Sequence, residues 1–481
     1  MGLKIYNSLS RQLEEFSPLK EGHVSMYSCG PTVYDYIHIG NARTALVTDI
    51  IRRYLTYKEY TVKLVQNLTD IDDKIIDRAH TLGLSAHELA HTNGLAYFED
   101  TQRLGIQAAD IHPKATEHIP EMIDLIQILL DKGAAYVVDG SVYYRVNAFS
   151  EYGKLSHRKP EDLLAGARVE VDERKEDPRD FDMWKAAKPG EPYWESPWGH
   201  GRPGWHIECS SMAMKHLGET IDIHAGGEDL LFPHHENEIA QSELATGVPF
   251  ARYWVHVAFL KIDGKRMGKS EKNFILLREA LDKYPAEVIR HFLVSAHYRH
   301  PLDYSIESLQ TSESALRRLN NCLDTLKKFT TDIDESIDTQ DDLTTDDNSL
   351  VSAIDTMQSG FIRAMDTDFN TAQAVGSIFT LVSTVNKSIA KNNGISNHIY
   401  THAYNALIET CEVLGIYSTN EQDTGKTDEY LDPVLNLLLD IRQDARNRKD
   451  WDTSDMIRDR LKELNIEIQD TKEGSTWKFI S

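Results

Sequence analysis

HVSMYSCGPTVYDYIHIGNARTALVTDIIRRYLTY, residues 23–57, decides the fold class. HVSMYSCG (23–30) reads as a short strand that stops at Gly30-Pro31. HIGNARTALVTDIIRRYLTY (38–57) carries apolar residues at Ala45, Leu46, Ile50, Ile51 and Leu55, the spacing of an amphipathic helix. TVKLVQNLT (61–69) is a second strand and DIDDKIIDRAHTLG (70–83) a second helix. Strand, helix, strand, helix at this spacing predicts parallel strands joined by helical crossovers, an α/β protein. The junction HIGN (38–41) opens the first helix. Free N–H groups and the helix dipole there favour an anion such as a phosphate, and Gly40 lets it come close to the backbone. An incidental His at a helix entry is the competing reading, and the residues alone leave both open.

Outward from this unit, a helix over 117–132 leads into AYVVDGSVYYRV (135–146), whose Asp-Gly between alternating apolar residues predicts a β-hairpin. Residues 150–203 are rich in Pro, Gly, acids and Trp and are expected to be irregular. Strands resume at TIDIHAGG (220–227), a helix opens at HHENEIAQSELATG (234–247), and WVHVAFLKI (254–262) is the next strand. The parallel sheet is thus expected to be split by an insertion. From 305 the pattern is helical: SIESLQTSESALRRLNNCLDTLKKF (305–329), a long helix after 348, and two more. IEIQDTKEGSTWKFI (466–480) closes the chain as a hairpin.

At roughly 100–200 residues per domain, 481 residues suggest three or four domains. No apolar run approaches the roughly 20 residues that span a bilayer, and MGLKIYNSLSRQLEEF lacks a secretory apolar core. A cytoplasmic protein without a membrane partner is expected. Four cysteines do not make a disulfide framework in so long a chain. The net charge of −24 argues at first against a nucleic-acid partner. Residues 331–348 hold eight acids and no base, and 418–429 four acids and one base, so these two stretches supply −11 of it. The rest can still present basic faces, and net charge neither supports nor excludes RNA.

GKRMGKS (264–270) looks at first like a phosphate-binding P-loop. That motif needs four residues between its first Gly and the Gly-Lys pair; three separate Gly264 from Gly268-Lys269. Lys265, Arg266 and Lys269 make either a cationic clamp for a phosphate or a solvated charge run. Cys29, Cys209 in GWHIECSS (204–211), and His234 and Glu238, four apart in FPHHENEIA, are zinc-ligand types at strand or helix ends. The 180 residues between the two cysteines match no zinc-finger spacing, so spacing does not decide. Cys322 and Cys411 sit on apolar helix faces as packed thiols.

HIGN resembles the HIGH motif of class I aminoacyl-tRNA synthetases, and RMGKS (266–270) their KMSKS motif, in the family's order. SCGPTVYDYIHIGNAR (28–43), QNLTDIDDKII (66–76), GWHIECSSMA (204–213), DIHAGGEDLLFPHHENEIAQ (222–241) and DTKEGSTWKF (470–479) resemble, more narrowly, the cysteinyl-tRNA synthetase family. The likeness runs from about residue 3 to 479.

The resemblance implies a split Rossmann-type parallel-sheet catalytic domain (1–115 and 204–255) with a connective insertion (116–203). A KMSKS loop and stem-contact region (256–315), an α-helical anticodon-binding domain (316–420) and a small α+β C-terminal domain (430–481) follow. It implies formation of cysteinyl-adenylate and pyrophosphate from L-cysteine and ATP, then transfer of cysteine to the 3′ end of tRNA(Cys), by a monomer. Carried over by position, one Zn2+ falls to Cys29, Cys209, His234 and Glu238, and catalysis to His38 and Lys269. ATP, taken with Mg2+, falls to His38, Gly40, Asn41, Gly227, Asp229, Arg266 and Lys269. The amino acid falls to Gly30, Thr69 and Trp205. Arg446 and Arg448 of RQDARNRKDW (442–451), with Asp470 and Trp477, would touch tRNA.

Two positions depart from the motifs: Asn41 replaces the last His of HIGH, and Gly268 the first Ser of KMSKS. Zinc suits the implied choice of cysteine over serine. One-atom differences give an ordinary pocket only about 1–3 kcal/mol, whereas the metal binds a thiolate and leaves a hydroxyl. The insertion is then expected to need no editing domain. An amino-sugar cysteine ligase, a non-catalytic RNA-binding paralogue and a P-loop hydrolase are the rivals. The helical C-terminal third, the retained His38 and Lys269, and the loop spacing count against them in turn.

Overall fold

The computed structural model describes residues 2–158, 173–262, 264–267, 273–330, 344–391, 394–417, 425–448, 450–463, 466–471 and 474–479; for 266, 425–434, 436, 463, 467, 469–471 and 474–479 it describes the backbone alone. The chain forms two compact units, Met1–Tyr417 and Ser418–Ser481.

In the first unit β1 (Lys4–Asn7) and β2 (Gln12–Glu15) form an antiparallel ribbon. Then come β3 (His23–Ser28), α1 (Ile39–Tyr57), β4 (Thr61–Gln66), α2 (Asp73–Leu82) and α3 (Ala86–Arg103). Next are α4 (Ile119–Asp131), β5 (Ala135–Val138), β6 (Ser141–Tyr144), β7 (Phe181–Ala186), β8 (Gly201–Pro203) and α5 (Trp205–Leu217). β9 (Ile221–Gly227), α6 (Glu236–Thr246) and β10 (Ala251–Val257) complete a four-stranded parallel sheet in the order β10-β9-β3-β4. Its strands are apolar on both faces, as a parallel sheet covered by helices requires: Met26, Tyr27, Ile223, Ala225 and Val255 are all buried. The sheet puts the C-terminal ends of β3 and β9, and the helix entry at 38, on one edge.

Residues 150–203 are not all irregular, contrary to the composition. β7 and β8 join β5 and β6 in a second, antiparallel sheet ordered β5-β6-β7-β8. Met183 and Trp184 fill its core; they lie in a six-residue strand too short for its period to stand out among flanking Gly and Pro. WVHVAFLKI is likewise not one strand. The chain leaves the parallel sheet after Val257 and restarts as β11 (Leu260–Ile262), paired with β12 (Lys265–Arg266). Ala258 and Phe259 lie between the two strands, and their carbonyls accept from the Arg43 guanidinium at 2.7 Å and 3.4 Å.

α7 (Leu277–Leu281), α8 (Ala286–Val294) and β13 (Leu302–Tyr304) follow, then α9 (Ile306–Thr330), α10 (Thr345–Met365), α11 (Thr371–Lys391) and α12 (Asn397–Leu414). Their apolar faces, including Cys322 and Cys411, continue the main core. The second unit holds α13 (Gly425–Asn447), α14 (Trp451–Glu463) and the hairpin β14 (Ile466–Thr471)–β15 (Gly474–Phe479). Leu435, Leu461 and Ile466 form its core. Six described helices thus follow residue 305, where the apolar period picks out four.

Candidate metal centre and adjoining cleft

Four side chains far apart in sequence meet where β3 and β9 end. Cys29 follows β3, Cys209 lies in α5, and His234 and Glu238 flank the start of α6. Cys29 Sγ is 3.8 Å from Cys209 Sγ and 3.6 Å from Glu238 Oε1. His234 Nε2 is 3.0 Å from Glu238 Oε1. One ligand atom from each of the four falls within 4.8 Å of all the others, and all four residues are buried.

The electrostatics suit a cation. Burial pushes the Cys29 thiol up, and the hydrogen bond and charge of Cys209 push it further. The Cys209 thiol is lowered to about 6, first because Cys29 donates to it. Burial opposes the charge on Glu238, yet His224 and His234 hold its carboxyl well below the usual range. His234 is raised to about 10: Glu238 and Cys209 outweigh the pull of burial. Two sulfurs, an imidazole and a carboxylate concentrated without solvent are the donors of a tetrahedral zinc site.

Around these four lies a shell of histidines that the sequence reading left without a role. His224 Nε2 contacts Glu238 Oε2 at 2.8 Å, and His235 Nε2 contacts Cys29 Sγ at 3.3 Å. His235 Nδ1 meets His256 Nε2 at 2.9 Å, and His256 Nδ1 meets Ser8 Oγ at 2.8 Å. His224 and His235, with Cys29 and Glu238, form a second group of ligand type. The doubled His in FPHHEN was the available signal.

A cleft of about 250 Å³ opens beside Cys29. Gly30, His38, Asn41, Trp205, Gly227 and Asp229 line it together with Cys29, so residues implied for the amino acid, ATP and the metal meet there. Gly30 has to be Gly: a Cβ there would lie 1.7 Å from Asn67 O. The Trp205 ring lies tilted against His234, centroids 4.1 Å apart and planes 31° apart, and joins the cleft to the metal centre. His38 caps α1. Its Nδ1 accepts from Asn41 N (3.1 Å), while His38 N donates to Asn41 Oδ1 (3.2 Å). Asn41 thus closes a capping box, and the neutral His38 ring carries its proton on Nε2.

Thr69 is not part of the cleft lining. It is buried and donates its hydroxyl to Glu208 Oε2 at 3.0 Å. Gly40 also stands outside the lining. A Cβ there would press Met267 Cε at 2.6 Å, so Gly40 packs the helix entry against Met267. Lys269 and Gly268 lie outside the described residues, as do the side chains of Arg266, Asp470 and Trp477. Arg446 lies half-buried in the last turn of α13 and Arg448 follows the helix exposed. Tyr34 and Lys74 line the cleft unforeseen, with Lys74 Nζ 5.7 Å from the Tyr34 ring centroid.

Residues 15–314 match the family described as tRNA synthetases class I (C) catalytic domain. Residues 360–418 match the DALR domain, and 428–477 the cysteinyl-tRNA ligase anticodon binding domain. The cysteine–tRNA ligase of Caldicellulosiruptor saccharolyticus is 50% identical over 473 residues, 98% of this chain and 99% of that protein. That of Bacillus licheniformis is 48% identical, covering 99% of both. The fold is that of Mycobacterium tuberculosis methionyl-tRNA synthetase in complex with methionyl-adenylate (TM-score 0.60, 16% identity, 82% of this chain and 90% of that one). A putative arginyl-tRNA synthetase from Campylobacter jejuni is similar to the same degree (TM-score 0.59, 13% identity, 85% and 95%). With its parallel-sheet catalytic domain and helical C-terminal third, the chain belongs to the cysteine–tRNA ligase family of class I aminoacyl-tRNA synthetases.

Proposed function

We propose that the Cys29–Cys209–His234–Glu238 centre holds one Zn2+ and that the adjoining cleft is where L-cysteine and ATP react. Supporting this is the buried donor set opening, through Cys29, onto a cleft that also holds the entry of α1. A zinc ion bound there would take the substrate thiolate as a further ligand and leave a serine hydroxyl unbound.

The chain's own residues do the rest. Gly30 and Trp205 shape the amino-acid end of the cleft. Thr69 acts from behind as a positioning residue, through Glu208 on α5, the helix that carries Cys209. His38, donating through Nε2, and the free N–H groups at the start of α1 steady the phosphates. Asn41 keeps the His38 ring oriented, and Gly40 leaves room for Met267 to lie against the helix entry. Gly227 and Asp229 border the nucleoside end. Lys269 and Arg266 offset charge on the departing pyrophosphate, with Mg2+ on the triphosphate. The cysteine carboxylate attacks the α-phosphorus, pyrophosphate leaves, and the 3′-terminal ribose hydroxyl then displaces AMP. Residues 316–420 and 430–481 hold tRNA(Cys), Arg446 and Arg448 on its phosphates and Asp470 and Trp477 at its anticodon. The protein works as a monomer in the cytoplasm, where its four free, buried cysteines stay reduced.

ATP–pyrophosphate exchange with cysteine and with serine, before and after zinc removal, tests this. Exchange should need both cysteine and zinc. Full preference for cysteine in zinc-free protein would overturn the metal's part; no exchange with any amino acid would overturn the cleft assignment.

A further inference from the structure

A second concavity of about 230 Å³ lies behind one wall of the cleft. Val33, Leu68, Ala90, Gly94, Phe98 and Trp194 make most of its surface. The wall between the two spaces is a single layer. Thr32 and Thr69 pair as an isolated parallel bridge, and Val33 N donates to Thr69 O at 3.2 Å. Side chains alternate along an extended segment. Thr32 and Tyr34 therefore line the cleft, while Val33 between them lines the second cavity.

The cavity has polar groups of both signs. Asp70 accepts from Thr116 N (3.0 Å) and Thr116 Oγ1 (2.6 Å), one bond to each carboxylate oxygen, and each oxygen retains a further lone pair. Lys114 stands beside it, partly exposed and paired at 3.2 Å with the carboxylate of the exposed Glu117. The exposed His87 and His91 lie one helical turn apart on α3, rings parallel and centroids 6.3 Å apart. The volume is below the roughly 300–1,000 Å³ of sites for drug-sized ligands and suits a single ring system. A largely apolar cavity with two aromatic side chains, one acceptor and one nearby cation offers what an unstacked base and its phosphate require.

The reaction proposed above needs such a place. It brings the terminal ribose of a single-stranded 3′ end into the cleft, and the nucleotide before it must lie just outside. We infer that the second cavity receives the penultimate base of the tRNA 3′ end. Trp194 and Phe98 flank the ring, Asp70 accepts from its exocyclic amine, and Lys114 meets its phosphate. This rests on the reading that the cleft performs aminoacylation.

Gly94→Leu in the full chain tests it. A Cβ at 94 meets only Leu68 Cδ1, at 3.9 Å, so the new side chain enters the cavity without displacing backbone. Leu also favours the helix more than Gly does. The probe is a tRNA(Cys) transcript with fluorescent pyrrolocytidine at the penultimate position. The unsubstituted chain should change its fluorescence on binding. G94L should abolish that change and lower kcat/KM for tRNA by about ten-fold or more, while cysteine-dependent ATP–pyrophosphate exchange stays as it was. Charging by G94L at the unsubstituted rate, or a fluorescence change that survives in G94L, overturns the inference. If G94L also loses exchange, Trp194→Ala at the cavity's side decides by the same signal. Loss of exchange in the unsubstituted chain would instead overturn the underlying reading, a result distinguishable from all of these.

Discussion

At Gly30 the sequence motif has a direct steric cause. Asn67 O occupies the space of a Cβ, and Gly30 N takes Asn67 Oδ1 at 2.9 Å. Gly30→Ala must push these segments apart and carry Cys29 with them. Cysteine-dependent ATP–pyrophosphate exchange should fall about 100-fold or more, the order expected for a misplacement near 1 Å, and a thermal melt will separate this from unfolding. Arg43 is a different case. Its buried guanidinium binds the carbonyls of Ala258, Phe259, His297 and His300, and burial lowers it to about 10. Lysine cannot reproduce that fork. Arg43→Lys should lose about 2–4 kcal/mol in urea unfolding, since buried carbonyls go unpaired. Gly30 was legible from its motif. The task of Arg43 was not, because its four acceptors come from chain more than 200 positions away.

Among the elements, α8 carries one of the groups that make stability fall in acid. His291 is buried with neither ring nitrogen hydrogen-bonded, and burial lowers it from 6.5 to about 4. The unfolded chain takes up this proton first as pH falls below about 6.5. Stability present above that pH is therefore lost progressively toward pH 4, by up to about 3 kcal/mol from this group. His291→Phe should flatten that decline in urea melts run from pH 7 to 4. The corner between α10 and α11 is a second such place. Asp368 and Phe369 adopt positive φ of 60° and 50°. Asp368 holds the turn by accepting from Tyr6 N, Tyr298 Oη and Arg299 Nε. Asp368→Ala should cost about 1–3 kcal/mol, the order for leaving buried donors without their acceptor, read as a lower midpoint in thermal unfolding. Apolar periodicity made α1, α2 and the β5–β6 hairpin readable. It failed at β7 and β8, whose short runs acquire meaning only when a neighbouring sheet edge is present.

For the whole molecule, the division at Tyr417 offers a clean cut. Residues 1–417 contain the metal centre, the cleft and α1. Truncation after 417 should leave cysteine-dependent exchange close to the full chain's and lower kcat/KM for tRNA(Cys) by about ten-fold or more, equivalent to roughly 1.4 kcal/mol of lost binding. The sequence by itself determined the α/β class, the order of the motifs and the terminal hairpin. These are properties of local period and of residues adjacent in the chain, which any window of 10–20 residues displays. It also named Cys29, Cys209, His234 and Glu238 as ligand types, but 180 residues separate the first two and no spacing rule reaches so far. Only the tertiary structure decided that they share one dry pocket, that His224 and His235 stand behind them, and that Thr69 sits behind the cleft rather than in it. Those facts depend on which strand lies beside which in the sheet, and that order is set by packing between elements, which a linear pattern does not encode.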